Sequence, residues 1–434
     1  MRELRGRSLL AVIVGIALVL TACGNSGSGT ANKNTQTGAI NIGVVAPFTG
    51  PAAEFGKLLS APCLAATYLI NQQGGVLGHQ VNCSSIDDTG DPADAVPNVT
   101  KAIATTSNLD MAIGLESNTA ATTVPLLNNA KIPFFTTNGL VSFDKTSDQY
   151  FWRATAADNA NGVAFAIWAA KKGYKKAAIV FQNNIGSEGN LPGVIAAYPK
   201  LGGSITSNIT ITGDAVSYSS EAERVIATNP DVLIFSADPQ TSATFLLNYK
   251  QLNNGNLPPM VTATDSLTPD FYNAVAKAVG SQYATNSIWL VGSYFDNTTE
   301  AFNTYKTGIF AVPANQAFAN VIITVGPPAS AYDGINIMAL AMIMAGTTIG
   351  KDYNSYIPQV VSKKSGATIV HNYEEGKKAL AAGKQIQYVG VIGPITFDKY
   401  HNFAGAFAAN VFTSDGNSQQ VGVMTGDEVQ KLLG

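Results

Sequence analysis

Histidine is nearly missing from this chain: His79, His371 and His401 stand far apart among 434 residues. No H-E-x-x-H pair exists to hold a zinc ion and activate water. No G-x-S-x-G elbow follows a strand-like run, and no P-loop is present to cradle phosphate. Gly74, Gly75 and Gly78 do not form a G-x-G-x-x-G, and they follow a helical pattern rather than a strand. We therefore read a non-enzyme with neither cofactor nor metal. Charge is also sparse, at 13% of residues with a formal net charge of −3. Residues 1–22 carry three Arg and one Glu, leaving 23 basic against 28 acidic side chains, which argues against nucleic acid as a partner. Past the first 22 residues, no apolar run reaches the ~18 residues needed to span a bilayer.

Apolar residues are abundant, at 46%, so the chain is globular and well cored. Its length favours two domains or two lobes. At the start, Arg2, Arg5 and Arg7 precede an apolar stretch from Leu9 to Leu20, and Leu20-Thr21-Ala22-Cys23 comes directly after it. This resembles a bacterial lipobox, which makes residues 1–22 a lipoprotein signal peptide and Cys23 the lipid-attachment residue. Residues 23–38, small and polar, read as a flexible tether. The expected location is the extracytoplasmic face of the cell membrane, either cell surface or periplasm, held by lipid alone. In that oxidising compartment Cys63, in a helical pattern, and Cys83, in the next strand pattern, read as a disulfide worth roughly 3 kcal/mol. Two buried free thiols are the alternative.

The stretch Ile40 to Gly56 organises the rest of the chain. Ile40, Ile42, Val44 and Val45 form a buried strand, Pro47 ends it, and Thr49-Gly50-Pro51 turns the chain into a helix from Ala53 to Gln73. Strands at 79–86, 109–115 and 132–136 alternate with helices at 92–105 and 119–130, as in a parallel sheet with covered faces. A second series begins after Tyr150-Phe151-Trp152-Arg153 with the same grammar: helices at 158–172, 187–201, 217–228 and 241–254, strands at 177–181, 204–212, 231–236 and 260–263. After Ser287 come a strand at 287–292, helices at 298–310, 329–345, 353–364 and 374–382, and extended pieces at 393–397 and 404–413. Helices arriving this late must be laid back on a lobe built early, which implies several crossings and a hinge. Met338, Met342 and Met344 read as core filling.

The order VVAPFTGPAAEFG, LINQQGGVLGHQV, DDTGDPADAV, IGLESNTAATTVPL, KIPFF, YFWRAT, ASAYDGINIMALAMIMAG and GPITFD resembles the leucine/isoleucine/valine-binding family of type I periplasmic binding proteins. The resemblance runs from about Ala39 to the C-terminus. It implies an α/β fold of two doubly wound parallel-sheet lobes joined by three crossings, lobe 1 being 39–156 with 290–406 and lobe 2 being 157–289 with 407–434. It implies a monomeric ABC substrate-binding protein that closes by hinge motion on a small polar solute, namely a branched-chain amino acid, an amide or a related compound. Permease and ATPase would be separate chains. A sensor of the same fold, signalling through a partner protein, is the alternative.

The resemblance also assigns a site. Ser117 matches a Ser that holds the ligand carboxylate, Asn138 and Gly139 match backbone groups beside it, and Phe55 matches a covering aromatic. On the second lobe Asp265 matches an acid that holds the ligand ammonium, Asp238 lies in a neighbouring loop, and Ile185 stands where the family often has an aromatic. Leu140 stands where amino-acid binders supply a hydroxyl. Each residue also has a local reading: Ser117 as a helix N-cap, Asp265 as a cap for the helix near Thr268. Asp87, Asp88, Asp91 and Asp94 lack the spacing of a calcium loop, and a strand end with an Asp-Pro helix start accounts for them.

Overall fold

The computed structural model describes residues 38–50, 53–266, 268–403 and 405–433, and the side chains of Glu54 and Asp265 fall outside it. The signal-peptide region and Cys23 also lie outside the described residues.

The first sheet is built from β1 (Ile40–Ala46), β2 (Val81–Asp87), β3 (Leu109–Gly114), β4 (Phe134–Thr136) and β5 (Phe151–Arg153), in the order β2-β1-β3-β4-β5 with every pairing parallel. The helices α1 (Ala53–Gln72), α2 (Pro92–Thr105) and α3 (Ser117–Asn129) are its crossovers. β3 is buried along its whole length because helices cover both faces of the sheet. The turn after β1 is held by Asp87, at the end of the neighbouring strand. Its carboxylate accepts from Phe48 N (2.8 Å), Thr49 N (3.3 Å), Thr49 Oγ1 (2.7 Å) and Thr89 N (3.0 Å). Asp91 caps α2 through Ala93 N, with Pro92 in the first turn. Cys63 of α1 is disulfide-bonded to Cys83 of β2, as expected.

A second run comes next: α4 (Asp158–Lys171), β6 (Lys176–Gln182), α5 (Ile185–Gly189), α6 (Leu191–Ala197), β7 (Ser204–Ile211), α7 (Ser219–Ile226), β8 (Val232–Ser236), α8 (Pro239–Leu252), β9 (Met260–Ala263), α9 (Pro269–Val279), α10 (Ser281–Asn286) and β10 (Ile288–Ser293). The helix expected at 187–201 is two helices broken at Asn190. Pro192 has no N–H to donate one turn back, and Asn190 Nδ2 takes Gly186 O (2.9 Å) for itself. Where Asp265 could have capped the next helix, Thr268 does so, accepting from Phe271 N at 3.2 Å.

The chain then returns to the first sheet. α11 (Glu300–Ala311), α12 (Ala319–Ile322), α13 (Gly326–Ala345), α14 (Gly350–Tyr353) and α15 (Ile357–Val361) are followed by a small sheet of β11 (Thr368–Val370), β12 (Ile386–Gly390) and β13 (Gly393–Pro394), with α16 (Tyr373–Ala381) inserted before β12. α13 is buried almost all round, which suits its near-continuous apolar sequence. It lies so close to the first sheet that a Cβ at Gly334 would meet Phe135 Cγ at 2.6 Å. Met338 and Met342 fill the core between them. Finally β14 (Phe407–Phe412) joins β10 and β15 (Ser418–Met424) joins β14, both antiparallel, giving the second sheet the order β15-β14-β10-β9-β8-β6-β7, and α17 (Gly426–Leu433) packs on α4.

Each sheet thus has a core on both faces, four clusters in all, and the fold is the expected doubly wound α/β arrangement. The chain passes between the sheets three times: after β5, after β10 and after Phe403. These passages are bonded to their surroundings. Tyr294 N donates to Ala406 O (2.9 Å), Ser330 Oγ to Ala154 O (3.1 Å), and Arg153 N to His401 O (3.0 Å). The fully buried Arg153 guanidinium also donates to Leu140 O (2.9 Å) and pairs with Asp144.

Candidate functional site

In open α/β sheets the strand termini and the loops after them form the ligand crevice, because all carboxyl ends of parallel strands point one way. Here three neighbouring strands of each sheet deliver the residues singled out by sequence. In the first sheet β1 leads to Phe55, β3 to Ser117 and β4 to Asn138 and Gly139. In the second, β6 leads to Ile185, β8 to Asp238 and β9 to Asp265, whose side chain lies outside the described residues.

Phe55 is 54% and Ile185 49% exposed, so two large apolar side chains at strand ends are open to solvent. Ser117 opens α3, half-buried, and its hydroxyl has no partner among the described residues. The capping role belongs to Glu116 instead, whose carboxylate accepts from Asn118 N (3.0 Å) and Thr119 Oγ1 (3.5 Å). Behind it, fully buried Asp88 accepts from Thr119 Oγ1 (2.7 Å) and Gly90 N (3.1 Å). Burial pushes the Asp88 carboxyl above its ordinary range. Burial, and then the like charge of Asp88, does the same to Glu116.

Asn138 is buried and its amide is committed to the loop: Nδ2 donates to Leu115 O (2.9 Å) and to Thr136 Oγ1, while Oδ1 accepts from Leu140 N (3.2 Å). Only backbone remains to meet a ligand there. Part of that backbone is also taken, since Asp158 N donates to Gly139 O at 2.7 Å. A Cβ at Gly139 would overlap the Asp158 carboxylate, and one at Gly189 would lie 2.5 Å from Asp158 Oδ2. The first residue of α4 is therefore seated between two glycines, one after each of β4 and β6. No sequence pattern marks Asp158, because its partners are glycines in distant segments.

Asp238 is exposed at its strand end and paired with Gln182. Gln182 Nε2 donates to Asp238 Oδ2 (2.6 Å) and Asp238 N to Gln182 Oε1 (2.9 Å). Near it a hydroxyl pair missed by the sequence reading joins Ser187 and Ser236 at 2.9 Å. The only advance signal for Ser236 is its place at the end of β8. Between the two sheets' loops, α3 touches α5, so the helices headed by Ser117 and Ile185 are neighbours. Among the described residues no group of His, Cys, Asp and Glu could hold a metal ion, and Asp87, Asp88 and Asp91 hold turns and a helix cap.

A family model described as periplasmic binding protein matches residues 39–417. The Leu/Ile/Val-binding protein BraC3 of Rhizobium johnstonii is 24% identical over 378 residues, covering 85% of this chain and 93% of its own. Among solved structures, the branched-chain amino acid transporter substrate-binding protein LivJ from Streptococcus pneumoniae, in complex with isoleucine, superposes with a TM-score of 0.68 at 16% identity, covering 89% of this chain and 99% of its own. An ABC transporter solute-binding protein from R. palustris, in complex with benzoate, gives 0.65 at 18% identity, covering 89% and 97%. With the two wound sheets, the three passages and the paired strand termini already described, these matches place the chain in the periplasmic binding protein family, as a binding protein and not an enzyme.

Proposed function

We propose that this chain is the lipid-anchored, extracytoplasmic solute receptor of an ABC uptake system, with lobe 1 at 39–156 and 290–406, lobe 2 at 157–289 and 407–434, and its ligand held between them. The observation that supports the reading is the matched set of strand ends, three adjacent from each sheet, on two sheet systems between which the chain passes three times. Each lobe supplies part of the ligand's partners, so only the closed, liganded form has both halves satisfied.

The similar proteins include binders of amino acids and of an aromatic acid, and local chemistry narrows the choice for this chain. The α3 N-terminus, ordinarily favourable to an anion, already holds the Glu116 carboxylate, with Asp88 behind it. Leu140 supplies no hydroxyl. A ligand that brings N–H donors to this end, such as a small amide, fits better than a free α-carboxylate, with Phe55 and Ile185 covering its apolar part.

A thermal-shift screen of the solute-free chain against branched-chain amino acids, their amides, urea, sugars and aromatic acids tests this. Ligand at ~100 times its dissociation constant stabilises by about 2.7 kcal/mol, a rise of a few degrees. The rise should be largest for an amide and vanish in the Ser117→Ala, Asp265→Ala double variant. Silence across the panel, or a hit indifferent to both substitutions, would remove the cleft as the site. Attachment of lipid at Cys23 is read by mass spectrometry of the membrane-bound chain and its Cys23→Ser variant.

A further inference from the structure

The loop after β4 carries Asn138, Gly139 and Leu140, and two of the chain's passages grip it from behind. Where the first passage begins, the Arg153 guanidinium of β5 donates to Leu140 O (2.9 Å) and pairs with Asp144. Where that passage ends, Asp158 N of α4 donates to Gly139 O (2.7 Å). The segment leading into the third passage holds the same loop a few residues on, because Asn402 Nδ2 donates to Asp144 O (2.9 Å) and Phe143 O (3.4 Å). That segment is itself fastened to β5. Arg153 N donates to His401 O (3.0 Å), His401 Nδ1 donates to Phe151 O (2.9 Å), and the His401 ring stacks on Trp152 with centroids 3.8 Å apart.

Arg153 therefore meets the loop through its side chain and the third passage through its backbone. The guanidinium is wholly buried over the Phe151 ring (5.9 Å), and Phe151 stacks on Phe143 of the loop (5.3 Å). Leu140, 4% exposed, turns its side chain into the same core, so the loop is held from the side away from the crevice. Arg153 Nε and Asp144 Oδ2 are buried without a partner. A buried ion pair with such gaps is a poor stabiliser compared with apolar groups of the same volume, and its use is to fix one arrangement of the parts around it.

We propose that Arg153 is a positioning residue that ties the Asn138–Leu140 backbone to the first and third passages, so that a solute seated on this backbone and the angle between the lobes are set together. This rests on the cleft reading given above. The planar fork of Arg153 serves Leu140 O and Asp144 at once, which the single ammonium of a lysine cannot do in the same geometry.

Hydrogen exchange of the full chain, followed by mass spectrometry, reads this tie without any ligand. The amides of Leu140, Phe143 and Asp144 are bonded within the loop, so their exchange reports its opening. Asn402→Ala, on the passage side, should speed exchange over 139–146 several-fold and leave α8 unchanged. Arg153→Lys should speed exchange about tenfold or more over both 139–146 and 398–403. The Arg153→Met, Asp144→Leu double variant should do the same while keeping or raising the melting temperature, a split that a merely structural role would not produce. With isoleucinamide as the probe, the wild type should gain protection at 398–403, and Arg153→Lys should bind the probe without that gain. If isoleucinamide does not bind the wild type, the cleft reading loses support and the ligand-free exchange decides the tie by itself. An effect of Asn402→Ala confined to 398–403, or faster exchange throughout the chain in every variant, would overturn the proposal; if Arg153→Lys does not fold, Asn402→Ala alone decides.

Discussion

Asp333 is a carboxylate with no access to water, in the middle of the most buried helix of the molecule. Tyr388 OH donates to one of its oxygens (2.8 Å) and Ile392 N to the other (2.9 Å). Burial outweighs these bonds and pushes its pKa up to about 6 from 3.8. A raised carboxylate binds its proton more tightly folded than unfolded. Its contribution is therefore fully present below pH 3.8 and is lost as pH rises through about 6. Relative to Asp333→Asn, wild-type stability should fall between pH 4 and pH 7 by up to about 3 kcal/mol, at about 1.4 kcal/mol per pH unit. Urea titrations at several pH values check this, and parallel curves for the two proteins would refute it. Asp87 has the opposite sign. Partial burial acts upward, but the bonds from Thr49, Phe48 and Thr89 prevail and hold it below the ordinary range, so its contribution fades as pH falls through its depressed pKa. The positions of Phe55, Ser117 and Asp265 after strand ends are legible in the chain, because apolar runs ending in turns mark strand termini. The commitment of Asn138 to Leu115 O beyond β3, and of Asp238 to Gln182, is not, since both depend on contacts across the fold.

At the scale of elements, legibility follows amphipathic contrast. β1, α1 and α13 stand out as long apolar or periodic runs. β15 does not, because Ser418–Met424 is an exposed edge with few apolar residues to betray it. β11 and β12 are short and sit among helical patterns, which hides them too. The contact between α4 and α6 shows how closely elements can be joined by residues that look like defects. A Cβ on Gly162 of α4 would overlap Asn190 O, and one on Gly193 of α6 would overlap Asn159 O, so two glycines let the backbones meet. Gly193→Ala should gain helix propensity yet lose roughly 1–3 kcal/mol through overpacking, read as a lower melting temperature. An unchanged or higher melting temperature would mean the pair has room to separate. The Cys63–Cys83 bridge closes a separation of 20 residues between α1 and β2. Replacing both by Ala should cost roughly 3 kcal/mol in an unfolding titration, and a loss near zero would mean that α1 is held by packing alone.

For the whole molecule, the functional expectation is motion of one sheet system against the other about three passages. Closure on ligand should lower the radius of gyration measured by small-angle X-ray scattering, in proportion to occupancy. A saturated sample with an unchanged radius would require a cleft that binds without closing. The three passages also set the order in which the molecule can be made. The helices that cover one face of the first sheet, α11 and α13, come after strands β6 to β10 of the second sheet, and β10 gains its outer neighbour only when β14 arrives. A chain delivered N-terminus first therefore completes the core of the first sheet only at Phe403, and that of the second only with the residues after it. Early in synthesis each sheet is therefore left with an apolar face still waiting for the segment that will cover it.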